Sequence, residues 1–455
     1  MATDDRDPES PSATGDRAGS GSGIESVTTR HTETDPVSVR QAVEALDPIV
    51  AVWDEPGEFP VLAIGREATV TGSGADRFDT VREEGTALLE AVETAALPEP
   101  SRPRLFGGVS FFETSELGVP WTGFEPASFV LPAVQVTLAP DRTILTGFGD
   151  GAAPDQLAEM GATLAAVEES APAERLGLGI ADSEAMRAER SDWIERVETV
   201  RDRIEGSGLE KAVLAVALDV ELDRELPLGT ALQALESRYP DCYRFGFAGD
   251  GADGTATFFG ATPERLVDKH GRAVETEALA GTVGRGDTDT ADAARIDRLL
   301  SDSTIGREHA LVSEAITEQL RAVGADVTAA DREVRTLANV HHLRTPISAT
   351  LPADVHVLEL VEELHPTPAV GGYPPARAGE AIRDVESIVR GWYGAPVGWF
   401  DAAGDGTFAV GIRSALARGR TATLFAGNGI VAGSDPRTEW TELEAKFQPI
   451  RDILA

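Results

Sequence analysis

Thiols and amines are almost missing from this chain: one cysteine and three lysines in 455 residues. The lone Cys242 excludes an internal disulfide framework. Long apolar runs are missing too, and none approaches the roughly 20 residues a helix needs to cross a bilayer. The opening MATDDRDPESPSATGDR is acidic and carries no apolar stretch, so no secretory signal is expected. A soluble, cytoplasmic protein is the expectation. Positive charge is also scarce, with 40 Lys plus Arg against 77 Asp plus Glu and a formal net charge of −37. Such a polyanion forgoes the counterion release that drives binding to phosphate backbones and is repelled by acidic lipid. Neither nucleic acid nor membrane is expected as a partner.

Acid excess with few lysines suits a surface in very high salt, where carboxylates hold water and self-repulsion is screened, so a halophile is expected. GC-biased codon use accounts for the scarcity equally well. In a chain that has largely dispensed with lysine, Lys211, Lys269 and Lys446 become candidates for work a guanidinium cannot do, because an amine can lose its proton. The rest of the composition, 42% hydrophobic and 26% charged, is globular, and the length allows one large domain or two to three ordinary ones.

Residues 1–36 are Ser, Thr, Gly, Asp and Glu without aromatics and read as a disordered acidic tail. Residues 37–185 alternate strand-like pieces such as VLAIGREATVTG with helical ones such as DTVREEGTALLEAVETAAL, and carry no dense chemistry. A Pro/Ala-rich connection then leads to a long helix beginning near Asp192. Residues 190–455 are richer in pattern. KAVLAVALDVEL, YRFGFAGD, TATFFGATPERLVD and RAVETEALAGTV read as strands, with DKHGR turning a hairpin. REHALVSEAITEQLRAVG and RAGEAIRDVESIVRGWYG read as helices, followed by a strand meander to AGNGIVAG. The last helix opens at Asp435-Pro436, an N-cap followed by proline at the first helical position.

On that helix Trp440, Leu443, Phe447, Ile450 and Leu454 form an apolar stripe, with Glu439, Glu442 and Lys446 along its margin at i, i+3, i+7. By spacing alone the simpler reading is a solvated Glu442 to Lys446 pair at i, i+4. The preceding AGNGIVAGSDP offers exposed backbone amides to an anion, a weak signal taken singly. Glu308 shares a helix face with Leu311, Val312, Ala315 and Ile316, and an inward carboxylate wants a cation. With Glu442 it would suit Mg²⁺, which takes one or two carboxylates plus substrate oxygens and waters. A carboxylate complementing the helix dipole is the alternative. In GTFAVGIRSA, Arg413 projects on a face of small residues, Ala409, Gly411 and Ala415, which leaves room for a carboxylate in its fork or for a structural ion pair.

TFFGATPERLV, TEALAGTVGRG, REHALV, NVHHLRT, LHPTPAVGG, RGWYGAPVGWF, GIRSA and FAGNGIVAGSDPRTEWTELEAKF, in this order, resemble the chorismate-utilising enzymes: anthranilate, aminodeoxychorismate, isochorismate and salicylate synthases. Upstream, RLFGGVSFF resembles a segment of the same enzymes. The resemblance implies an α/β (α+β) fold: a single large chorismate-binding, aminodeoxychorismate synthase-like domain with two stacked sheets flanked by helices and the site in a cleft. The division into 37–185 and 190–455 is then one of convenience.

Within the family the resemblance points to isochorismate synthase. Lys211 matches the lysine that activates water, whereas the ammonia-using enzymes lack it. Ala280 stands where aminodeoxychorismate synthases carry a nucleophilic lysine, and TEALAGT and LHPTPAVGG resemble the isochorismate branch. The resemblance implies that Glu264 protonates the departing C4 hydroxyl of chorismate while water activated by Lys211 adds at C2. A lysine serves as such a base only if burial or neighbouring charge brings its amine toward neutrality. Glu308 and Glu442 become Mg²⁺ ligands, with Glu439 acting through water. Gly281 and Thr282 become contacts to the ring carboxylate. Tyr393, Arg413 and the backbone of Gly427 to Gly429 resemble the enolpyruvyl carboxylate pocket, with Lys446 adding positive charge. His342 resembles the histidine near the C4 hydroxyl. Menaquinone or siderophore synthesis is the implied pathway, and no amidotransferase subunit is expected. Salicylate synthase, anthranilate synthase component I and a catalytically silent chorismate binder are the competing readings. The sequence departs from the family pattern at Val216, where relatives carry arginine, at Ile305-Gly306, where many carry Lys-Asp, and at Asn428, in a turn that is usually smaller.

Overall fold

Strand sequences such as IVAVWD, KAVLAVALDVE and PVGWFD are apolar on both faces, the pattern of sheet strands covered on each side. A computed structural model describes residues 26–94, 97–168, 175–178, 190–338 and 340–455, with the backbone of residues 185–186. Their strands form two large sheets whose pairings are antiparallel. The first runs Thr29–Thr34, Arg142–Phe148, Val134–Ala139, Val61–Ile64, Ile49–Asp54, Tyr243–Gly251, Gly254–Thr262, Ser414–Arg418, Thr421–Ile430, Lys211–Glu221, Gly372–Tyr373. The second runs Asp326–Ala329, Val340–Thr350, Ala273–Gly284, Arg265–His270, Gly406–Val410, Pro396–Asp401, Arg104–Val109, Ala127–Leu131, Ala68–Gly72, with Glu333–Thr336 also on Val340–Thr350. Both sheets mix the two sequence halves: Ile49–Asp54 pairs with Tyr243–Gly251, and Arg104–Val109 with Pro396–Asp401.

Three apolar layers follow from strand alternation. Between the sheets lie Trp53, Phe106, Trp121, Phe245, Phe258, Trp392 and Phe425. On the Lys211–Glu221 strand, Ala215 and Ala217 face that middle layer. Leu214, Val216, Leu218 and Val220 face outward, onto Trp193, Val197 and Val200 of the helix Arg190–Ser207 and Leu443, Phe447 and Ile450 of Pro436–Leu454. The outer face of the second sheet is covered by the helices Arg77–Glu90, Ser303–Ala322 and Val357–Leu364. The Asp435 cap forms as expected, its carboxylate accepting from the Thr438 amide at 2.9 Å. The DKHGR hairpin turns at Gly271, with φ +56°.

Two expectations need correction. The tail was expected to be disordered through residue 36, yet Thr29–Thr34 is an edge strand in register with Arg142–Phe148. Its three threonines, Thr29, Thr32 and Thr34, are β-branched, and an edge strand half in water has the composition of a tail. Residues 1–25 lie outside the described residues. The helix expected through residue 394 ends at Val385. The chain turns extended at Glu386, whose carboxylate accepts from the Ala215 amide at 2.7 Å and from Arg390. Arg390 in turn donates to the carbonyls of Val213 at 2.6 Å and Val370 at 3.1 Å. Beyond the short pairing with Gly372–Tyr373, this side-chain pair satisfies backbone groups of the Lys211 strand that no neighbouring strand reaches. The helices Asp289–Ser301 and Val357–Leu364 were not anticipated.

Arg390 is only 3% exposed, so Glu386→Ala strands a guanidinium in the interior. Breaking a buried pair from one side costs about 3–5 kcal/mol. The expected outcome is a lower urea midpoint of that size, and a loss below about 1 kcal/mol would show that the pair does not cap the sheet edge.

Candidate active site

Lys211 opens its strand with its side chain on the inter-sheet face and is 3% exposed. A buried ammonium requires a counter-charge, and its Nζ donates to Glu308 Oε1 at 2.7 Å. Glu308 is delivered by the helix Ser303–Ala322, whose start is fixed by Asp302 accepting from the amides of Thr304 and Ile305. Val312, Ile316 and Leu320 bury the same helix against the second sheet. The Lys211 charge holds the Glu308 carboxyl below its ordinary range, against the opposing effect of burial. Gly429 lies beside this pair, and a Cβ there would sit 2.6 Å from Lys211 Cε and 3.5 Å from Glu308 Oε1. The lysine side chain occupies the space a larger residue would need.

Glu264 sits where the chain leaves the first sheet at Thr262 and enters the second at Arg265. The Thr262 hydroxyl accepts from its amide at 3.2 Å, and its carbonyl accepts from the Val410 amide at 3.0 Å. The side chain is buried, with Thr367 Oγ1 3.5 Å from Oε1. Burial first, and then the Glu277 carboxylate, push its pKa up to about 7, while Lys211, Thr367 and Arg413 oppose the rise. Near neutrality this carboxyl can therefore hold a proton to give.

Arg413 lies on the reverse crossing, between Gly406–Val410 of the second sheet and Ser414–Arg418 of the first. Its φ of 49° is in the left-handed region, a strained place for a residue that carries a Cβ. Nη2 donates to His342 Nε2 at 3.1 Å. Because a guanidinium only donates, Nε2 must accept, which puts the imidazole proton on Nδ1, facing Thr282 Oγ1 at 2.9 Å. Burial, and then Arg413, keep His342 well below its usual pKa and therefore neutral. Nη1 of Arg413 is buried with no partner. An orphaned cationic donor of this kind is satisfied by an anion.

Gly281 leaves the strand ladder at a register shift between Ala280 and Thr282, with φ +76°, while Thr282 stays paired with His342. His309 secures the bulge, bonding the Ala280 carbonyl at 3.2 Å and Thr345 Oγ1 at 2.8 Å. Across the cleft, Lys446 Nζ donates to the Gly427 carbonyl at 2.8 Å, and Asn428 Nδ2 donates to Glu439 Oε2 at 3.0 Å. Lys446 is open to water yet crowded by protein. That crowding lowers its ammonium pKa, against the pull of Glu442, Glu439 and Glu308. Tyr393 is buried and stacked on Phe425, and its hydroxyl would lie 3.4 Å from a Cβ on Gly427.

The site residues expected from the resemblance are thus linked by contacts and mutual charge effects into one region, here called the cleft, whereas Lys269 lies elsewhere. Glu439 and Glu442 stand at its edge, Glu442 exposed. Thr367, His309 and Glu277 join them without having been singled out. Thr367 lies inside the quoted LHPTPAVGG string and Glu277 inside TEALAGT, so the signal was present but unassigned. Among the described residues, no group of three or more His, Cys, Asp or Glu side chains converges closely enough to cage a metal unaided, and no helix is long and apolar enough to cross a membrane.

The family model for chorismate binding enzymes matches residues 13–455. The chain belongs to that family. Isochorismate synthase MenF of Bacillus subtilis is 31% identical over 442 residues, covering 92% of this chain and 93% of its own. The salicylate biosynthesis isochorismate synthase of Pseudomonas aeruginosa is 35% identical over 438 residues, covering 92% and 88%. The solved structure of the menaquinone-specific isochorismate synthase MenF of Escherichia coli matches with a TM-score of 0.77 at 24% identity, over 95% of this chain and 96% of that one, which shows a common fold.

Two departures of this chorismate-binding chain have structural answers. Val216 is fully buried on the helix-covered face, opposite to the face that carries Lys211, so the missing arginine does not touch the amine. Ile305 packs under the bulge, where a Cβ on Gly281 would lie 2.5 Å from its Cγ2.

Gly429→Ala should displace Lys211 while leaving the fold intact. Misplacement by about 1 Å costs about a hundredfold in rate. Turnover lost on that scale with an unchanged melting temperature is the expected outcome, and wild-type turnover would disprove the seat.

Proposed function

We propose that this chain is an isochorismate synthase, isomerising chorismate by adding water at C2 as the C4 hydroxyl leaves. The observation that carries the reading is a buried primary amine at Lys211 within electrostatic reach of a buried carboxyl at Glu264, whose pKa burial pushes up to about 7. The relatives named as isochorismate synthases support it. In its neutral form, released from the ion pair with Glu308, the Lys211 amine takes a proton from water as the oxygen bonds to C2. The two ring double bonds shift, the C4–O bond breaks, and Glu264 protonates the leaving hydroxide. One water enters and one departs, so the ring composition is unchanged. The Arg413 donor without a partner, Tyr393, Lys446 and the Gly427 to Gly429 backbone receive the enolpyruvyl carboxylate. Gly281 and Thr282 meet the ring carboxylate. His342, neutral and held between Arg413 and Thr282, stands near the C4 hydroxyl.

Glu308, Glu439 and Glu442 supply only hard oxygen donors and form no closed cage, a set that fits Mg²⁺ completed by substrate oxygens and water. Bound there, the ion would neutralise and orient the ring carboxylate, and Glu308 would exchange Lys211 for it. With water as the nucleophile, no amidotransferase subunit is required. Isochorismate would enter menaquinone or siderophore synthesis, and the acid excess supports a high-salt cytoplasm as the setting.

Incubation with chorismate and Mg²⁺ in concentrated salt should yield isochorismate. Salicylate with pyruvate as the main product, or anthranilate only when ammonium is present, would overturn the reading. Lys211→Ala should lose about 10²–10⁴-fold in kcat while chorismate binding is largely kept, because the base acts in the transition state. Since the acid works protonated, kcat/KM should fall as pH rises through about 7, the value to which Glu264 is pushed. A profile flat through that range would remove Glu264 from the role.

A further inference from the structure

Next to Glu264 stands a cluster that the reaction as described does not use. Glu277, on Ala273–Gly284, is buried and accepts from two arginines: Arg335 Nη1 at 2.8 Å on Oε1, and Arg344 Nε on Oε2. Arg344 also donates to Glu333 at 2.8 Å. The same Nη1 of Arg335 donates to the Pro263 carbonyl at 3.0 Å, the peptide that leads into Glu264, and its Nη2 donates to the Asp241 carbonyl at 2.9 Å. Arg335 belongs to the strand Glu333–Thr336 at the second sheet, where it lies directly across from His342. Pro263 and Asp241 flank strands of the first sheet. One guanidinium therefore ties the two sheets together at the crossing that carries the acid.

We propose that Arg335 and Glu277 are a positioning pair for Glu264: Arg335 fixes the backbone that presents it, and the Glu277 carboxylate keeps negative charge next to it so that its proton is retained. The inference rests on the reading of Glu264 as the general acid. The groups acting on Glu264 are Lys211 from the first sheet, Arg413 from the neighbouring crossing, Thr367 from the segment after Val357–Leu364, and Glu277. Tyr393, buried on the same cleft, feels its charge in return. Among the side chains that act most strongly on Glu264, Glu277 pushes its carboxyl upward, and Lys211, Thr367 and Arg413 pull it down. Arg335 also lowers the pKa of both His342 and Arg413, so it is close to the whole cleft floor. Two arginines bond both oxygens of the Glu277 carboxylate, the partners that a buried charge requires.

The test is an infrared difference titration of the Glu264 carboxyl in the full-length protein, its band identified by loss in E264Q. In E277Q the midpoint should fall by about half a pH unit or more, because a negative neighbour is removed and two cations are left uncompensated. In R335M it should rise, because a cation is removed. An unmoved midpoint in E277Q, or shifts of the same sign in both, overturns the proposal; a residue that merely supported the fold would not give opposite signs. R335K covers the case in which R335M does not fold. It keeps the charge but cannot span Pro263, Glu277 and Asp241, so its midpoint should hold while kcat drops about tenfold with KM within about twofold. Unchanged kcat in R335K overturns the positioning half. The titration needs no turnover, so a wild-type protein that makes no isochorismate would remove the functional reading and leave this result standing.

Discussion

A primary amine taken out of water demands a partner and a space, and much of the cleft is organised to supply both to Lys211. The partner is Glu308, the space is the missing side chain of Gly429, and each comes from a different element. The helix that delivers Glu308 is held by an apolar face two turns long, and the strand that delivers Gly429 is locked in register with the lysine strand, Val213 opposite Gly429. On the other edge of that lysine strand, the Glu386–Arg390 pair replaces a missing neighbour. The ion pair therefore depends on three long-range packings agreeing. In the isochorismate synthase reading, this agreement fixes where water can lose its proton.

The acid and the anion clamp share a different device. Glu264 and Arg413 sit at two opposite crossings between the sheets, one leaving the first sheet and the other returning to it. The crossings are bonded to each other: the Ala261 amide donates to the Arg413 carbonyl at 3.2 Å, and the Val410 amide donates to the Glu264 carbonyl. Regular strands would place both side chains within a pleat, pointing at a sheet face. A crossing interrupts the pleat and lets the side chain enter the gap between sheets. The left-handed backbone of Arg413 belongs to that interruption, held by neighbours that over-determine it.

Local pattern revealed some of this and could not reveal the rest. The Asp435-Pro436 helix start, the DKHGR hairpin and the strand that begins at Lys211 are decided by neighbouring residues, so they are readable in the string. The end of the helix at Val385 is decided by a carboxylate reaching a strand 171 residues away, which no window of sequence contains. The edge strand Thr29–Thr34 is equally dependent on a distant partner. Lysine scarcity directed attention to three residues, and Lys211 and Lys446 both lie in the proposed site. Lys269 is fully buried between Asp405 at 2.7 Å and Asp354 at 3.2 Å, tying a hairpin to a loop. Rarity marks a residue as retained, and only its surroundings say whether for chemistry or for structure.

The opposition between a strongly acidic molecule and a dianionic substrate is resolved by position. Most carboxylates lie on the outside, where water and salt screen them within about a Debye length of 8–10 Å. Lys211, Arg413 and Lys446 line the cleft, where fewer solvent dipoles intervene and each cation acts at greater strength. The carboxylates admitted to the same region are matched: Glu308 by Lys211, Glu439 by an amide of Asn428, Glu277 by two arginines. Glu264 is the exception, since the cations near it do not overcome its burial, and it keeps its proton near neutrality. An anion approaching the cleft thus meets the unpartnered Arg413 donor, the Lys446 amine and an acid poised to hold its proton, whatever the total charge of the chain.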